Sequence, residues 1–458
     1  MKKPVLWFLT LFICMNSSAQ KFEQLAKTPP MGWNSWDCFG MDVTEEQVRS
    51  TADYMAKHMK SSGWIYVVVD MGWYYGEGLN TSNFRMRNPP QFIDEYGRVI
   101  PNIRKFPSAA NGQGLKPLSD YVHGLGLKFG IHIMRGIPRQ SVDKNTLVKN
   151  TLFRAENIAS YTDTCAWYHG MLGVDMTKPG SREYYESLIE LYTEWGVDYI
   201  KADNMTNPYY TSEIEALSNA IKRSGRPIVL SLSAGPVPVS ETDNLRKNAH
   251  IWRISGDMWD DWSFVKEQFE ICREWQNNII PHHWPDCDIL PLGKLRINGT
   301  DGMLADRITL PHEKTINEYS RLTNDEIVST LTLWIIFRSP LMMGGNLLEN
   351  DSMTLQLLTN KEALVVNQKS TNNHELKSDN SEIVWIADDP ASHAKYVAIF
   401  NIGDDRPRHI NVTWKELGLS GEYAVRDLWK KADAGNYKDN FEATINPHSA
   451  GLYKLSKK

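Results

Sequence analysis

Cysteine is scarce in this chain: five occur in 458 residues. One of them, Cys14, lies in an N-terminal apolar run. The other four, Cys38, Cys165, Cys272 and Cys287, stand far apart with no CxxC pair, which argues against a zinc site and against a dense disulfide framework. Free buried thiols are the preferred reading, although export would permit disulfides. Long hydrophobic runs are missing too. Beyond the N-terminus no stretch reaches the roughly 18 apolar residues of a membrane span. Neither sign of charge prevails, with 50 basic and 55 acidic residues and a formal net charge of -5. No cluster of Lys and Arg marks a nucleic-acid surface. There is no short internal repeat, so a solenoid is not indicated.

A chain of 458 residues is too long for one compact core, and two or three domains are expected. The first residues carry Lys2 and Lys3, an apolar run from Val5 to Met15, and the small residues Ser17-Ser18-Ala19. Residues 1–19 therefore read as a signal peptide, and the mature protein as exported, periplasmic or extracellular. A lipoprotein reading on Cys14 lacks the small residue that should precede it, since Phe12-Ile13 stand there. The 16 Trp and 19 Tyr are many for this length. They suit a large aromatic core, and also stacking against the apolar C–H faces of a sugar.

From residue 45 onward, β-branched runs alternate with amphipathic stretches. Helical patterns over Glu45–Ser61, Leu115–Leu125, Ser181–Trp195 and Thr211–Arg223 precede strands at Tyr66–Asp70, Lys128–His132, Asp198–Asp203 and Pro227–Leu232; a further strand spans Ala249–Ser255. Near-continuous apolar strands imply burial on both faces, as a parallel sheet requires. The alternation over some 300 residues predicts an α/β fold, a (β/α)8 TIM barrel over residues 20–365. Composition shifts near residues 361–380, where Asn367 to His374 is polar and turn-like. Beyond it lie short alternating runs at Glu382–Ala387, Ala394–Asn401, His409–Trp414, Tyr423–Leu428 and Ala450–Leu455. They predict a small C-terminal antiparallel β-sandwich domain over residues 366–458, a brace for the barrel or a separate sugar-binding module.

Asp70, Asp203 and Asp257 each fall at or just after the C-terminal end of a predicted strand, and in a barrel those ends converge on the functional face. One such carboxylate is most often a loop cap. Several on one face repel each other and need a reason. Two carboxylates can cleave a glycosidic bond, one attacking the anomeric carbon and the other protonating the leaving oxygen. The first must stay ionised and the second must hold its proton, so their surroundings must differ. Lys201, two residues before Asp203, points to the same side of a strand and favours its charged form. Arg253 stands four residues before Asp257, and Gly256 lets the chain turn at the strand end. From spacing alone, ordinary salt bridges are the leading reading of both pairs.

Several segments, in order, resemble glycoside hydrolase family 27, the family of α-galactosidases. They are Thr28-Pro-Pro-Met-Gly-Trp-Asn-Ser-Trp36, Lys201-Ala-Asp-Asn204, Trp252-Arg-Ile-Ser-Gly-Asp257, Trp284-Pro-Asp-Cys-Asp-Ile-Leu290, Trp334 to Gly345, and Val365-Val-Asn-Gln368. The resemblance spans roughly residues 28–370. It implies a retaining mechanism without cofactor or metal, with Asp203 as nucleophile and Asp257 as acid/base. It implies that Lys201 and Arg253 bind ring hydroxyls, that Trp36 forms an aromatic wall, that Asp70 accepts hydrogen bonds from hydroxyls, and that Asp288 lies near the acid/base. The partner is then an oligosaccharide or polysaccharide, and the implied activity is release of terminal α-D-galactose.

Four departures qualify that implication. Galactosidases of the family carry two adjacent aspartates after the second strand, gripping O4 and O6. Here the pair is Asp70-Met71, and a thioether is a poor partner for a hydroxyl. β-L-Arabinopyranose is α-D-galactopyranose without its hydroxymethyl group, so a β-L-arabinopyranosidase is the alternative. Tyr74 or Tyr75 could instead serve O6. Second, Ser233 falls where galactosidases have a larger acidic residue, and a serine there in relatives makes room for an N-acetyl group. Third, His132 replaces a tyrosine at the end of the third strand. Fourth, Met205 stands where the family has a disulfide partner after the nucleophile. The insertion over residues 135–181, with Tyr161, Trp167, Tyr168 and His169, is expected to cover the mouth, either as a cap or as a selector of the leaving group. A non-catalytic carbohydrate-binding barrel is the competing class; it should lack a carboxylate, and both are present.

Overall fold

The computed structural model describes residues 22–76, 89–297, 318–379 and 381–458. The segment read as a signal peptide, residues 1–19, lies outside the described residues. Eight parallel strands follow one another: β1 (Met31–Asn34), β2 (Tyr66–Val69), β3 (Lys128–Met134), β4 (Tyr199–Asp203), β5 (Val229–Leu232), β6 (Ile251–Arg253), β7 (Trp284–Asp286) and β8 (Leu341–Met343). From β1 to β7 each pairs with the next, and β1 also pairs with β8. The ring closes just beyond β7, where Leu290 bridges Met343 in parallel. The Leu290 amide donates to the Met342 carbonyl at 2.7 Å, and the Gly344 amide donates to the Leu290 carbonyl at 2.9 Å.

Between the strands run α1 (Glu45–His58), α2 (Lys116–Gly124), α3 (Ser181–Glu194), α4 (Thr211–Ser224), α5 (Thr242–Asn248), α6 (Trp262–Trp275) and α7 (Asn324–Phe337); α8 (Lys361–Lys369) follows β8. α1 shows how local sequence sets these boundaries. Thr44 and Gln47 form a reciprocal capping box, Glu45 and Glu46 fill the first turn, and Lys57 and His58 fill the last, matching the helix dipole at both ends.

The strand period of two sorts the barrel interior into levels. Low in the barrel, Tyr66, Val68, Tyr199, Val229, Ile251, Trp284 and Met342 form an apolar plug, with the Tyr66 and Tyr199 rings 5.4 Å apart. Gly32 and Gly130 let the neighbouring strands approach at these tyrosines. A Cβ on Gly32 would meet the Tyr66 carbonyl oxygen at 2.3 Å, and one on Gly130 would meet the Tyr199 Cβ at 3.0 Å. Two and four residues further along the same strands come Asp70, His132, Lys201, Asp203, Arg253, Asp286 and Asp288, all at the C-terminal mouth. One side-chain parity thus carries both the plug and the polar site above it.

The C-terminal domain has a six-stranded antiparallel sheet. Its strands are β9 (Thr371–Asp379), β10 (Glu382–Asp388), β11 (Lys395–Asn401), β16 (Ala450–Lys457), β13 (Tyr423–Asp427) and β14 (Ala432–Tyr437), in that spatial order. A second sheet pairs β12 (Arg408–Thr413) with β15 (Asn440–Ile445). The space between the sheets is filled by Val384, Val397, Ile399, Ile410, Val412, Val425, Phe441 and Leu455, among others. The opposite face packs on the barrel through Phe269–Phe400 and Phe337–Trp385 ring contacts. α7 is caught between barrel and sheet and is buried almost all round, which is why its sequence lacks a polar face.

Several expectations shift. The polar stretch read as a turn at Asn367 to His374 is the end of α8 and the start of β9. β9 is an edge strand, paired only with β10 and exposed over much of its length, so it shows no hydrophobic alternation. The run read as a strand to Trp414 stops at Thr413, which caps a short helix at Trp414–Leu417 through a capping box with Glu416. The insertion after β3 folds as a small antiparallel sheet of Ile137–Pro138, Met171–Val174 and Ala159–Thr164. All four described cysteines are free and buried; Cys272 and Cys287 approach to 3.5 Å between sulfurs.

Candidate active site

β2 ends in Asp70, which is almost wholly buried. Its Oδ2 accepts from Lys201 Nζ at 2.8 Å and from Asn34 Nδ2 at 2.7 Å, and its Oδ1 accepts from the Met71 amide at 2.7 Å. Burial pushes this carboxyl up, but the Lys201 ammonium, His132 and the Met71 amide outweigh it and hold Asp70 at about 2. Lys201 is buried as well, which lowers it, yet the carboxylates of Asp70, Asp203 and Asp288 raise it above its ordinary value.

Asp203 closes β4. Its Oδ2 lies 3.0 Å from His132 Nε2, and its Oδ1 accepts from the Asn204 amide at 2.7 Å. Lys201 therefore bonds directly to Asp70 rather than to Asp203, and His132 is the direct partner of Asp203. Burial raises the Asp203 carboxyl. The hydrogen bond and field of His132, then Lys201 and the Asn204 amide, bring it below the usual carboxylate range. Because an ionised carboxylate only accepts, His132 Nε2 carries the proton in this contact. An acidic group this buried stays charged at neutral pH only through such partners.

Asp257 stands apart, on the loop after β6, with 64% of its side chain exposed. Arg253 Nη2 reaches its Oδ1 at 3.3 Å and the Gly256 carbonyl at 2.6 Å. The other end of the guanidinium, Nη1, pairs with buried Asp288 Oδ1 at 2.5 Å. Burial pushes Asp288 above the usual carboxylate range, with Asp257 and Asp286 adding to the rise and Arg253 and Lys201 opposing it.

Around these groups stand the other expected residues. Trp36 is partly buried at the rim after β1, its amide held by Asn34 Oδ1 at 2.8 Å. Ser233 is buried beyond β5, its carbonyl accepting from the Met205 amide at 2.8 Å. Met71 is 2% exposed and belongs to the apolar core. Tyr74 and Tyr75 are buried too, and Tyr74 lines an apolar void with Ile133, Tyr184, Leu188 and Tyr192 between β3 and α3, outside the barrel wall.

Three contributors escaped sequence reasoning. Asn34 binds Asp70. Asp286 accepts the Asp288 amide at 3.0 Å. Asp37 is buried, with Oδ2 lacking a hydrogen-bond partner among the described residues. Burial, then Asp288, Asp70 and Asp260, raise Asp37 well above the carboxylate range against the pull of Lys201. Asn34 and Asp37 flank the Ser-Trp step of the first motif, so recognising β1 as a strand would have pointed to both.

The insertion is tied to β4, the strand that ends in Asp203. The Arg135 amide donates to the Asp203 carbonyl at 3.0 Å. Its guanidinium makes a bidentate pair with Asp163 at 3.0 and 2.9 Å, pairs with Glu213, and stacks 3.5 Å over Tyr210. Tyr168 is buried, Trp167 packs partly buried beside it, and Tyr161 is 64% exposed.

Two family models match the sequence, Alpha galactosidase A over residues 166–310 and Alpha galactosidase C-terminal beta sandwich domain over residues 379–455. A solved family 27 β-L-arabinopyranosidase from Geobacillus stearothermophilus, in complex with arabinose, is 44% identical with a TM-score of 0.90, covering 96% of this chain and 99% of that one. A Bacillus halodurans protein with a suggested α-N-acetylgalactosaminidase activity is 41% identical with a TM-score of 0.82, covering 94% and 97%. Alpha-galactosidase 2 of Arabidopsis thaliana is 28% identical over 98% of this chain and 96% of its own length. The barrel, the paired carboxylates at its mouth and this end-to-end likeness agree, and the chain belongs to glycoside hydrolase family 27.

Proposed function

We propose that this glycosidase is a retaining exo-β-L-arabinopyranosidase, with Asp203 as nucleophile and Asp257 as acid/base. The observation that carries the choice of sugar is Met71. It is buried beside Asp70, where a hydroxymethyl group would need a polar partner. Leaving a buried hydroxyl unpaired costs roughly 1–3 kcal/mol, and arabinopyranose has no such group. Tyr74 lines the apolar packing between β3 and α3, and Tyr75 packs its ring on Tyr168 of the insertion, which favours neither as the partner of a hydroxymethyl group. The 44% likeness to an arabinopyranosidase, against 28% to an α-galactosidase, supports the same reading.

In the first step the ionised Asp203 attacks the anomeric carbon while Asp257 gives its proton to the leaving oxygen, and the alcohol departs. Asp257, now a carboxylate, takes a proton from water, whose oxygen displaces Asp203 and releases the sugar. Lys201 and Asp70 form a preset donor–acceptor pair for ring hydroxyls, and Trp36 offers an apolar face for the ring. Asp257 is open to solvent, whereas Asp203 is shielded and held charged. The proposal includes export through residues 1–19, which N-terminal sequencing of the mature protein would check.

α-Galactosidase is the second reading, carried by the family models and the plant relative. Rates on aryl β-L-arabinopyranoside, aryl α-D-galactopyranoside and aryl α-N-acetylgalactosaminide separate the possibilities. The arabinopyranoside should be preferred, and Met71→Asp should swing the ratio toward galactoside by about 10- to 100-fold. A galactoside preference in the unaltered protein, unchanged by Met71→Asp, would sink the arabinopyranosidase reading. Faster turnover of the N-acetyl sugar would shift attention to the space beside Ser233.

A further inference from the structure

Asp288 is the most heavily tethered carboxylate in the site. It has φ +90°, a backbone conformation that L side chains rarely adopt and that persists only where surrounding contacts over-determine it. Here every polar handle is engaged. Its amide donates to Asp286 Oδ1 at 3.0 Å. Its carbonyl accepts from the Trp334 indole at 3.1 Å. Its Oδ2 accepts from the Met258 amide at 2.8 Å, and its Oδ1 meets Arg253 Nη1 at 2.5 Å. Met258 adjoins Asp257, so two of these contacts grip the loop and the cation on which Asp257 depends.

We infer that Asp288 is a positioning residue for Asp257: it pins the loop through the Met258 amide and draws the Arg253 charge away from Asp257. Arg253 lies between the two carboxylates, 2.5 Å from the buried one and 3.3 Å from the exposed one. A buried pair is little screened and an exposed pair is strongly screened, so the guanidinium's charge is answered mainly by Asp288. Without that, Arg253 would turn its field on Asp257 and favour its ionised form, and an ionised Asp257 has no proton to give. The groups facing Asp288 are Arg253 of β6, Asp257 after it, Asp286 of β7, Lys201 of β4 and Asp37 after β1. Arg253 and Lys201 favour the charged form of Asp288, and the three carboxylates oppose it.

The inference rests on the acid/base assignment of Asp257, and its test separates the two. The unaltered enzyme, Asp257→Ala, Asp288→Asn and Asp288→Glu are assayed as full chains on phenyl and 4-nitrophenyl β-L-arabinopyranosides across pH. Phenol is the poorer leaving group and needs the proton more. Asp257→Ala should slow the phenyl substrate far more than the nitrophenyl one; equal slowing would remove the acid/base reading and with it the role of Asp288. Asp288→Asn should slow the phenyl substrate by roughly 10- to 100-fold more than the nitrophenyl one at neutral pH, and move the alkaline limb of the kcat/KM profile to lower pH. Asp288→Glu, which retains the charge, should restore that limb. Equal slowing of both substrates by Asp288→Asn with an unmoved alkaline limb would overturn the inference in favour of a purely structural role. Thermal unfolding reports whether Asp288→Asn folds. If it does not, the Glu variant decides alone: an unmoved limb and a near-native substrate ratio support the inference, and a shift in both overturns it.

Discussion

On the side of the mouth built by β2, β3 and β4, Asp70 and Asp203 each meet a nitrogen donor at 2.8–3.0 Å, Lys201 for one and His132 for the other. On the side built by β6, β7 and the loop after β1, Asp37, Asp286 and Asp288 crowd together, and all three are raised, with burial as the largest cause. Burial is similar on both sides, so it does not explain the difference. The balance of neighbouring charge does. Where two carboxylates share Lys201 and His132, each stays charged. Where three carboxylates crowd around Arg253, their mutual repulsion adds to burial and each is pushed up, even though Asp288 meets Arg253 and the Met258 amide directly. One side of the mouth suits a nucleophile and the other suits proton handling.

The sharpest way to break that contrast is on the charged side. Asp203→Asn should cut turnover by on the order of 10⁴-fold while sugar binding, followed by calorimetry, persists; retained turnover would remove Asp203 from the chemistry. Lost sugar binding as well would point to misfolding.

Lys201→Met should come next in size, because it takes the ion-pair partner from the buried Asp70 carboxylate, a loss of about 3 kcal/mol read from urea unfolding at pH 7. The sign with pH follows from Asp70. Its folded value of about 2 is below the unfolded one, so its contribution is complete above about pH 4 and disappears as pH falls toward 2. The gap between unaltered protein and variant should narrow over that window. A gap that stays constant would mean that Lys201 stabilises through something other than Asp70.

Asp37→Asn should have the smallest effect and the opposite sign. Asp37 is raised in the folded protein by burial and by its carboxylate neighbours, so ionisation favours the unfolded chain and the cost grows as pH rises above the unfolded value. The variant should be more stable than the unaltered protein at pH 8, with the advantage fading by pH 4. An advantage independent of pH would show that Asp37 is not the titrating group.

Much of the barrel was legible. The five strands read from β-branched runs, β2 to β6, are present with ends moved by two residues at most. β1, β7 and β8 were not read as strands. Met31-Gly-Trp-Asn34, Trp284-Pro-Asp286 and Leu341-Met-Met343 are three or four residues long and lack β-branched residues; they are strands because the ring supplies their hydrogen-bond partners, β2 and β8 for β1, β6 for β7, and β1 with Leu290 for β8. β14 escaped for the same reason as β9, being an edge strand exposed over most of its length.

In the site, Asp203 with Lys201 and Asp257 with Arg253 could be named from alternation, strand ends and charge pairing. The partners could not. Spacing within one strand suggests Lys201 for Asp203, but the chosen partners come from other strands: His132 of the adjacent β3 for Asp203, and Asp70, at the end of β2 two strands away, for Lys201. Register decides this, since His132 pairs with Lys201 and Met134 with Asp203 across β3 and β4, and register between parallel strands follows from how the whole ring closes.

The sequence by itself determined the alternation that makes a parallel barrel, the parity that sends Asp70, Lys201, Asp203 and Arg253 inward, and the absence of a carboxylate at Met71. These are local properties of residue type and a period of two. Only the tertiary structure decided which donor faces which acid, that Asp288 rather than Asp257 holds Arg253 most closely, and that Asp37 Oδ2 has no hydrogen-bond partner among the described residues. Such proton affinities depend on distances across β1, β4, β6 and β7, elements separated by up to about 250 residues in the chain, and through-space electrostatics has no counterpart in the order of residues.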